Sequence, residues 1–455
     1  MRRPARKNID RRAGNYSAAQ KCVAARTKGE HIHPSEGAMF HKIHRDEVFT
    51  AGGQPSITYV EREQLHIERT LARAIATPNQ IVSLSGPTKT GKTVLCKKVL
   101  GEREFVWVDG GQIKSSDDLW TRVCGELNIP AERSESTGTE GSHTGGLHIA
   151  FVTASGSRLQ RKGTTTVYKL QSMAEALEEL SERKIVLVVD DFHYLDSETR
   201  TAFVRNVKGT IFNGLKVVLL SATHRVFDAI NAEPELTGRF IAVTLPEWSV
   251  SDLIKIPELG FSALRTDCDS EIIRRLGREA QENPFLMQKF CWEICFDSSI
   301  EHQNLISRHK IPVDYDLEGM FVRLAQDAGL PIYQKLVAGP QSRKVRTRRP
   351  LRAGNDADIY EATLLALSET GPKSVVSYEE LRTNLNRLLT DMVPQKHETT
   401  SALKHLAAIS MRVGAEGAID WDEDKREVNI ADPYLRFFLR WQVRSRDGHD
   451  PLSGD

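Results

Sequence analysis

With 455 residues, 40% hydrophobic and 27% charged, the composition is that of a globular chain with room for about three domains. The formal net charge of +1 excludes polyanion binding by overall charge and leaves that role to local patches. The six cysteines (22, 96, 124, 268, 291, 295) form no C-x-x-C pair, so reduced thiols in a cytoplasmic protein are expected, without a zinc site or disulfide framework.

No apolar run approaches the roughly 18 residues that a membrane span needs, so no membrane association is expected. Nor does an apolar segment follow the basic N-terminus, so no signal peptide is expected.

Residues 1–48 read as a basic, flexible tail. Positions 1–45 carry eleven Lys/Arg against three acids, a balance of +8. A nucleic-acid or partner-binding arm and a plain solvated extension both fit that pattern. Asp10 and the scarcity of Ser argue against an organellar presequence.

Residues 49–247 read as an α/β core. A Gly/Pro loop, Ala51-Gly52-Gly53-Gln54-Pro55, precedes Tyr59-Val60-Glu61-Arg62-Glu63. A helical stripe follows through Leu65, Ile67, Leu71, Ala74 and Ile75, stopped by Thr77-Pro78-Asn79. Ile81 to Ser85 is a short apolar run that predicts a buried strand.

The next eight residues are Gly86-Pro87-Thr88-Lys89-Thr90-Gly91-Lys92-Thr93, which fit G-x-x-x-x-G-K-[ST], the phosphate-binding P-loop. A helix beginning near Val94 completes the strand–loop–helix context. Backbone N–H groups of such a loop curl around a phosphate, and the helix N-terminus adds its positive end. Lys92 would reach the β/γ-phosphates, and the Thr93 hydroxyl would hold Mg²⁺.

Phe105 to Asp109 predicts a second strand, and Ser116-Asp117-Asp118 starts a helix that Asn128-Ile129-Pro130 ends. Residues 131–168 read as a polar insertion: flexible to 146, then a β-hairpin over 148–168 from alternation such as Thr165 and Val167. A helix is expected from Leu170 to Leu180.

Ile185 to Asp191 is a β-branched run ending in two acids, as in a buried parallel strand whose carboxyl end meets a ligand. About a hundred residues after a P-loop it is a Walker B candidate. Asp190 would hold the Mg²⁺ bound to Thr93, and Asp191 would polarise the attacking water, directly or through a neighbour. A helix from Glu198 to Ile211 and a strand from Val217 to Ser221 follow. That strand leads into Ala222-Thr223-His224-Arg225, and a last strand spans 241–245 after Gly238-Arg239-Phe240.

Residues 248–340 read as a helical lid, all-helical over 249–298 with Glu282-Asn283-Pro284-Phe285 between two helices. A basic linker (341–355) holds Arg343, Lys344, Arg346, Arg348, Arg349 and Arg352 without an acid; it would bind phosphates or simply be solvated. Residues 356–445 read as a winged helix-turn-helix, before a short tail (446–455). It has helices over 356–368, from Ser377 (a capping-box start) and over 399–412, then a hairpin through Trp421 and Val428. Its third helix offers only Lys404, His405 and Arg412 as basic groups and its wing turn, Asp422-Glu423-Asp424, is acidic, so weak phosphate binding is expected. The histidines form no H-x-x-x-H or H-E-x-x-H pattern, so no metalloenzyme is expected.

Taken in this order, the parts resemble AAA+-related P-loop ATPases, in the branch with origin-recognition-type initiators, archaeal-type ATPases and STAND switch proteins. The resemblance covers roughly residues 50–300 and loosely the C-terminal module. It implies ATP and Mg²⁺ as ligands, with an α/β P-loop core, helical lid and winged module. An ATP-hydrolysing switch with homo-oligomers or protein partners is implied; a DNA-associated ATPase and a nucleotide-binding scaffold with little turnover are the open alternatives.

It also implies that Arg62 lies near the adenine, although Glu61 stands where the family has Gly. Thr223-His224-Arg225 is similar to the sensor Thr-x-Arg of STAND proteins. Asn283-Pro284 sits where the branch has Gly-x-Pro against the base, with Glu282 departing from Gly. Arg239 has two readings: an arginine reaching the γ-phosphate of a neighbouring subunit, or a surface arginine before a strand. Arg225 competes for the first role within its own subunit. Asp432 to Trp441 resembles the aromatic closing helix of archaeal-type ATPases.

Overall fold

The computed structural model describes residues 42–129, 161–222, 238–341, 345–371, 373–413 and 417–443. Most of the basic tail, most of the polar insertion, Thr223 and Arg225 lie outside them. No described helix is long and apolar enough to cross a membrane.

The core is a five-stranded sheet, with β1 Ile81–Ser85, β2 Phe105–Asp109, β3 Val186–Asp190, β4 Lys216–Ser221 and β5 Phe240–Thr244. The order is β2-β3-β4-β1-β5, and every pairing is parallel. The register places Ser85 beside Ser221 and Thr244, and Asp109 beside Asp190. All carboxyl ends therefore share one edge, where ligands of open α/β sheets bind.

Strand periodicity explains why both faces are covered. On β3, Leu187 and Val189 pack with Trp120, Leu180 and Phe203, while Val186 and Val188 pack with Leu71, Leu95 and Leu100. The first layer comes from α4 Ser116–Glu126, α5 Arg161–Glu182 and α6 Ser197–Ile211. The second comes from α2 Ile67–Ala76 and α3 Lys92–Leu100.

The hairpin expected over 148–168 is corrected in part: 161–168 belong to the 22-residue α5, and the rest lies outside the described residues. The alternation at Thr165 and Val167 is too short to outweigh a helix with the apolar Ala176, Leu177 and Leu180 buried on the sheet.

Folded structure also starts earlier than the expected tail boundary at 48. Helix α1 (Arg45–Val48) is capped by His44, and Val48 and Phe49 are buried. Phe49 packs edge-on against Phe261 at 5.4 Å. Burial of two such side chains is worth about 1.5–3 kcal/mol each, enough to hold a short basic segment down.

The lid contains α7 Val250–Leu253, α8 Lys255–Ala263, α9 Ser270–Glu279, α10 Pro284–Asp297 and α11 Leu317–Ala338. It is not all-helical over 249–298: the two-residue strand β6 (Thr266–Asp267) pairs with β7 (His309–Lys310). Helix α11 crosses the expected lid boundary, since Met320 and Phe321 join the lid core and Leu336 the C-terminal core.

Three linker arginines make hydrogen bonds to the fold; Arg343 and Lys344 lie outside the described residues, and Arg352 is exposed. Arg346 donates to Asp358 at 2.9 Å and to the carbonyls of Ala338 and Pro340. Arg349 donates to Met392 O and Glu398, both at 3.0 Å. Arg348 reaches the carbonyl of Asp356. A short antiparallel pair, β8 Arg349–Pro350 with β9 Asp356–Ala357, replaces the expected start of the next helix.

The module beyond packs α12 Ile359–Ser368, α13 Tyr378–Leu388 and α14 Lys396–Val413 on an antiparallel sheet. Its strands are β10 Val375–Ser377, β11 Ile419–Asp422 and β12 Glu427–Ile430, in the order β10-β12-β11. Ser377 caps α13 through the Glu380 N–H, but the Glu380 carboxylate bonds Lys373, so a reciprocal capping box is not what holds this end. The closing helix α15 (Pro433–Phe438) and the π-turn after it (Leu439–Val443) stand between two cores. Phe437 and Trp441 belong to the lid, and Leu435, Phe438 and Leu439 to the module.

Candidate phosphate site

β1 ends at Ser85, and the loop from Gly86 turns the chain into α3. Gly86 is required there: a Cβ would meet the Leu245 carbonyl at 2.8 Å. Gly91 has φ +96° and starts α3, a backbone setting that favours glycine. The Thr90 hydroxyl donates to Pro87 O at 2.7 Å and pins the loop. Lys92 is 7% exposed, and its Nζ donates to Gly86 O at 2.9 Å and Pro87 O at 3.0 Å.

β3 delivers the acids. The Thr93 hydroxyl donates to Asp190 Oδ2 at 2.9 Å, and the Asp191 N–H donates to Asp190 Oδ1 at 3.0 Å. Burial pushes the Asp190 carboxyl above its ordinary range, opposed by the Thr93 hydroxyl, the Asp191 N–H and Lys92. Asp191 stands in the left-handed region at φ +52°, a setting that clusters at functional sites. Gly110, after β2, allows the close approach, since a Cβ there would lie 2.6 Å from Asp191 O. The hydroxyl and carboxylate oxygens of Thr93 and Asp190 form the hard oxygen pair that suits Mg²⁺.

Residues 88–93 of the loop, Asp190 and Asp191 line a cavity of about 710 Å³, which also takes in Val94, Tyr59, Arg62 and Pro284; Gly86 and Pro87 do not line it. That volume lies within the usual range for small-molecule sites. Arg62 is buried, and its Nη1 donates to Pro246 O and Glu247 O at 3.0 and 3.1 Å, with the guanidinium 4.7 Å from the Trp248 ring. Trp248 Nε1 donates to Thr90 O at 3.0 Å. The Arg62–Trp248 stack thus fixes the segment after β5 against the P-loop.

Arg239 is elsewhere. Its carbonyl accepts from Ile81 N–H, so it sits at the amino end of β1, across the sheet from the loop. Its guanidinium lies on the Phe212 ring, 3.4 Å from the centroid. Arg239 therefore takes no part in this chain's own phosphate site.

Two helix starts meet the middle of the loop: the Asn283-Pro284 segment expected against the base, and Asp432, which sequence reasoning left out of the site. Asn283 caps α10 by accepting from Phe285 N and Leu286 N, and its Nδ2 donates to Thr88 O at 3.1 Å. Asp432 caps α15 by accepting from Tyr434 N and Leu435 N, and its carboxylate holds Lys89 Nζ at 3.4 Å. Lys89 Nζ also lies 4.1 Å from the Tyr434 ring centroid, and that ring meets Phe285 edge-on at 5.4 Å. Two cap–Pro–aromatic helix starts, one from the lid and one from the C-terminal module, thus converge on consecutive P-loop residues. The caps were legible as Asn283-Pro284 and Asp432-Pro433; nothing local says that they meet.

Residues 75–225 match a family model described as an AAA domain. No curated protein matches the sequence. Among solved structures, the chain is similar to a Walker-type ATPase of Pyrococcus abyssi, with TM-score 0.50 and 13% identity over 84% of this chain and 96% of that one. It is also similar to the ORC1 protein of Aeropyrum pernix in complex with DNA (TM-score 0.43, 11% identity, 88% of this chain and 97% of that one). Cdc6p of Pyrobaculum aerophilum gives TM-score 0.39 and 14% identity over 88% and 98%. At 13% identity the likeness to the Pyrococcus abyssi ATPase speaks to fold alone. With the five-stranded parallel sheet, the P-loop and the Thr93–Asp190 pair in place, residues 75–225 match an AAA domain and form an α/β P-loop core.

Proposed function

We propose that this chain is a Mg²⁺-dependent switch that binds and hydrolyses ATP and couples its nucleotide state to self-assembly or to a protein partner. The observation that carries the reading is the contact of Lys89, inside the P-loop, with Asp432 and Tyr434 of the C-terminal module. An ion pair this exposed is worth about 0–1 kcal/mol and the ring contact about 0.5–1 kcal/mol. Together they are weak enough for a bound triphosphate to displace.

In this reading Lys92 leaves the loop carbonyls for the β/γ-phosphates and offsets their charge. Thr93 and Asp190 hold Mg²⁺, which when bound neutralises charge on the phosphate oxygens. Asp191 orients the attacking water. Thr223 and Arg225 take the sensor role that the resemblance implies. Arg239 remains a candidate only toward a neighbouring subunit. Turnover by the Lys92→Ala protein at the wild-type rate would sink the reading.

A DNA-associated ATPase is the second reading. The partners found for Arg346, Arg348 and Arg349 move its support to the basic residues 1–45. DNA binding that weakens with salt and is lost on trimming that tail supports it, and no binding at low salt removes it.

A further inference from the structure

The junction between α1 and the loop after α10 holds two imidazoles and a carboxylate. Backbone hydrogen bonds run from Arg45 N to Glu301 O at 2.9 Å and from Gln303 N to Ile43 O at 2.8 Å. They flank His44 and His302, which face each other in an antiparallel bridge. A pair so flanked is the non-hydrogen-bonded kind, in which side chains come closest. The rings meet edge-on with centroids 4.8 Å apart.

Glu301 reaches both rings. Its Oε1 is 3.7 Å from His44 Nε2, and its Oε2 is 3.8 Å from His302 Nδ1. One ligand atom from each of the three residues lies within 4.8 Å of the others. These separations are too long for hydrogen bonds. The two carboxylate separations exceed the ~3.3 Å edge of a tetrahedron with ~2.0–2.1 Å bonds by about 0.4–0.5 Å, and the widest separation in the set exceeds it by up to about 1.5 Å, so rotamer shifts of the exposed Glu301 and His302 are needed to close them onto one ion.

We propose that His44, Glu301 and His302 form a Zn²⁺ site that clips the backbone entering α1 to the loop following α10. Two imidazoles and one carboxylate select zinc over Mg²⁺, which favours an all-oxygen set such as Thr93 and Asp190. Glu301 and His302 are exposed, which leaves room for water as a further ligand.

The surroundings supply a second layer. His44 Nδ1 lies 3.4 Å from Asp46 Oδ2, so a proton on Nδ1 points to a carboxylate while Nε2 takes the metal. In that state His44 gives up the hydrogen bond that its Nδ1 accepts from Asp46 N–H, so zinc alters the cap of α1. His309 Nε2 lies 3.0 Å from His302 O and holds the loop. The site was invisible to spacing rules because its ligands come from distant parts of the chain.

The test uses the full chain stripped of metal, with Zn²⁺ measured by competition against a chromogenic chelator and Co²⁺ by visible absorption. The wild type should take one Zn²⁺ equivalent and show a low-coordinate Co²⁺ band. His302→Ala and Glu301→Gln should each bind about tenfold or more weakly and lose the band, while keeping ATP binding at the separate P-loop. Retained ATP binding shows that each variant is folded, and Glu301→Gln decides if His302→Ala is not. The proposal fails if wild type takes up no Zn²⁺ at ~100 µM, or if both variants bind it with wild-type affinity.

Discussion

The closing segment touches the rest of the chain in two ways that differ in strength. At its C-terminal end Arg440 makes two hydrogen bonds to Glu279 at 2.7 and 2.8 Å, and Trp441 Nε1 adds a third at 2.9 Å. Glu279 is 1% exposed, so this is a buried and fully partnered anchor between module and lid. At its N-terminal end Asp432 holds Lys89 at 3.4 Å with both side chains partly in solvent. In the proposed switch, the difference puts the movable joint at the P-loop contact. The module is locked to the lid and lightly held at the P-loop, so lid and module should move together when phosphates displace Lys89.

The anchor should be the costliest place to break. Glu279→Ala leaves Arg440 and the Trp441 N–H without their buried acceptor, and should cost about 3–5 kcal/mol of stability in chemical denaturation. A cost near that of a surface substitution would remove the distinction between the two contacts.

Next come the phosphate groups. Lys92→Ala should lower turnover by a factor on the order of 10² or more with little change in melting temperature. Asp190→Asn should also abolish Mg²⁺-dependent turnover while raising the melting temperature. The folded state holds the Asp190 proton more tightly than the unfolded chain does, so stability at this site is lost as pH rises through the raised pKa. The gain from Asn should therefore be larger at pH 8 than near the ordinary carboxylate range.

Arg349→Ala, which removes bonds to Met392 O and Glu398, should cost about 2 kcal/mol of stability and leave DNA affinity unchanged. Weaker DNA binding by a fully folded variant would return this arginine to the phosphate-binding reading.

The smallest effect is the most specific. Lys89→Ala and Asp432→Asn should each remove about 1 kcal/mol of contact and speed ADP release roughly fivefold, and the double variant should do no more than either alone. Additive effects would mean that the two residues act separately.

What could be read from sequence follows the range of the interaction. The P-loop, the five strands and the Asp190–Asp191 end depend on neighbours in the chain, and their residue types declare them. The α5 extension over 161–168 was misread because a few alternating residues carry less information than a helix docked on a sheet. The buried Val48 was lost inside a basic composition. Arg346, Arg348 and Arg349 looked like a free basic patch because their carbonyl partners carry no sequence signature. Lys89 and Asp432 are 343 positions apart, and only the packed lid and module bring them together.

Hydrogen exchange of the closing segment in Mg²⁺–ATP and in ADP tests the switch most directly. Faster exchange over residues 431–436 with ATP, unchanged exchange over 440–443, and no response in Lys92→Ala are the predicted results. Equal exchange over 431–436 in both nucleotides would contradict the account.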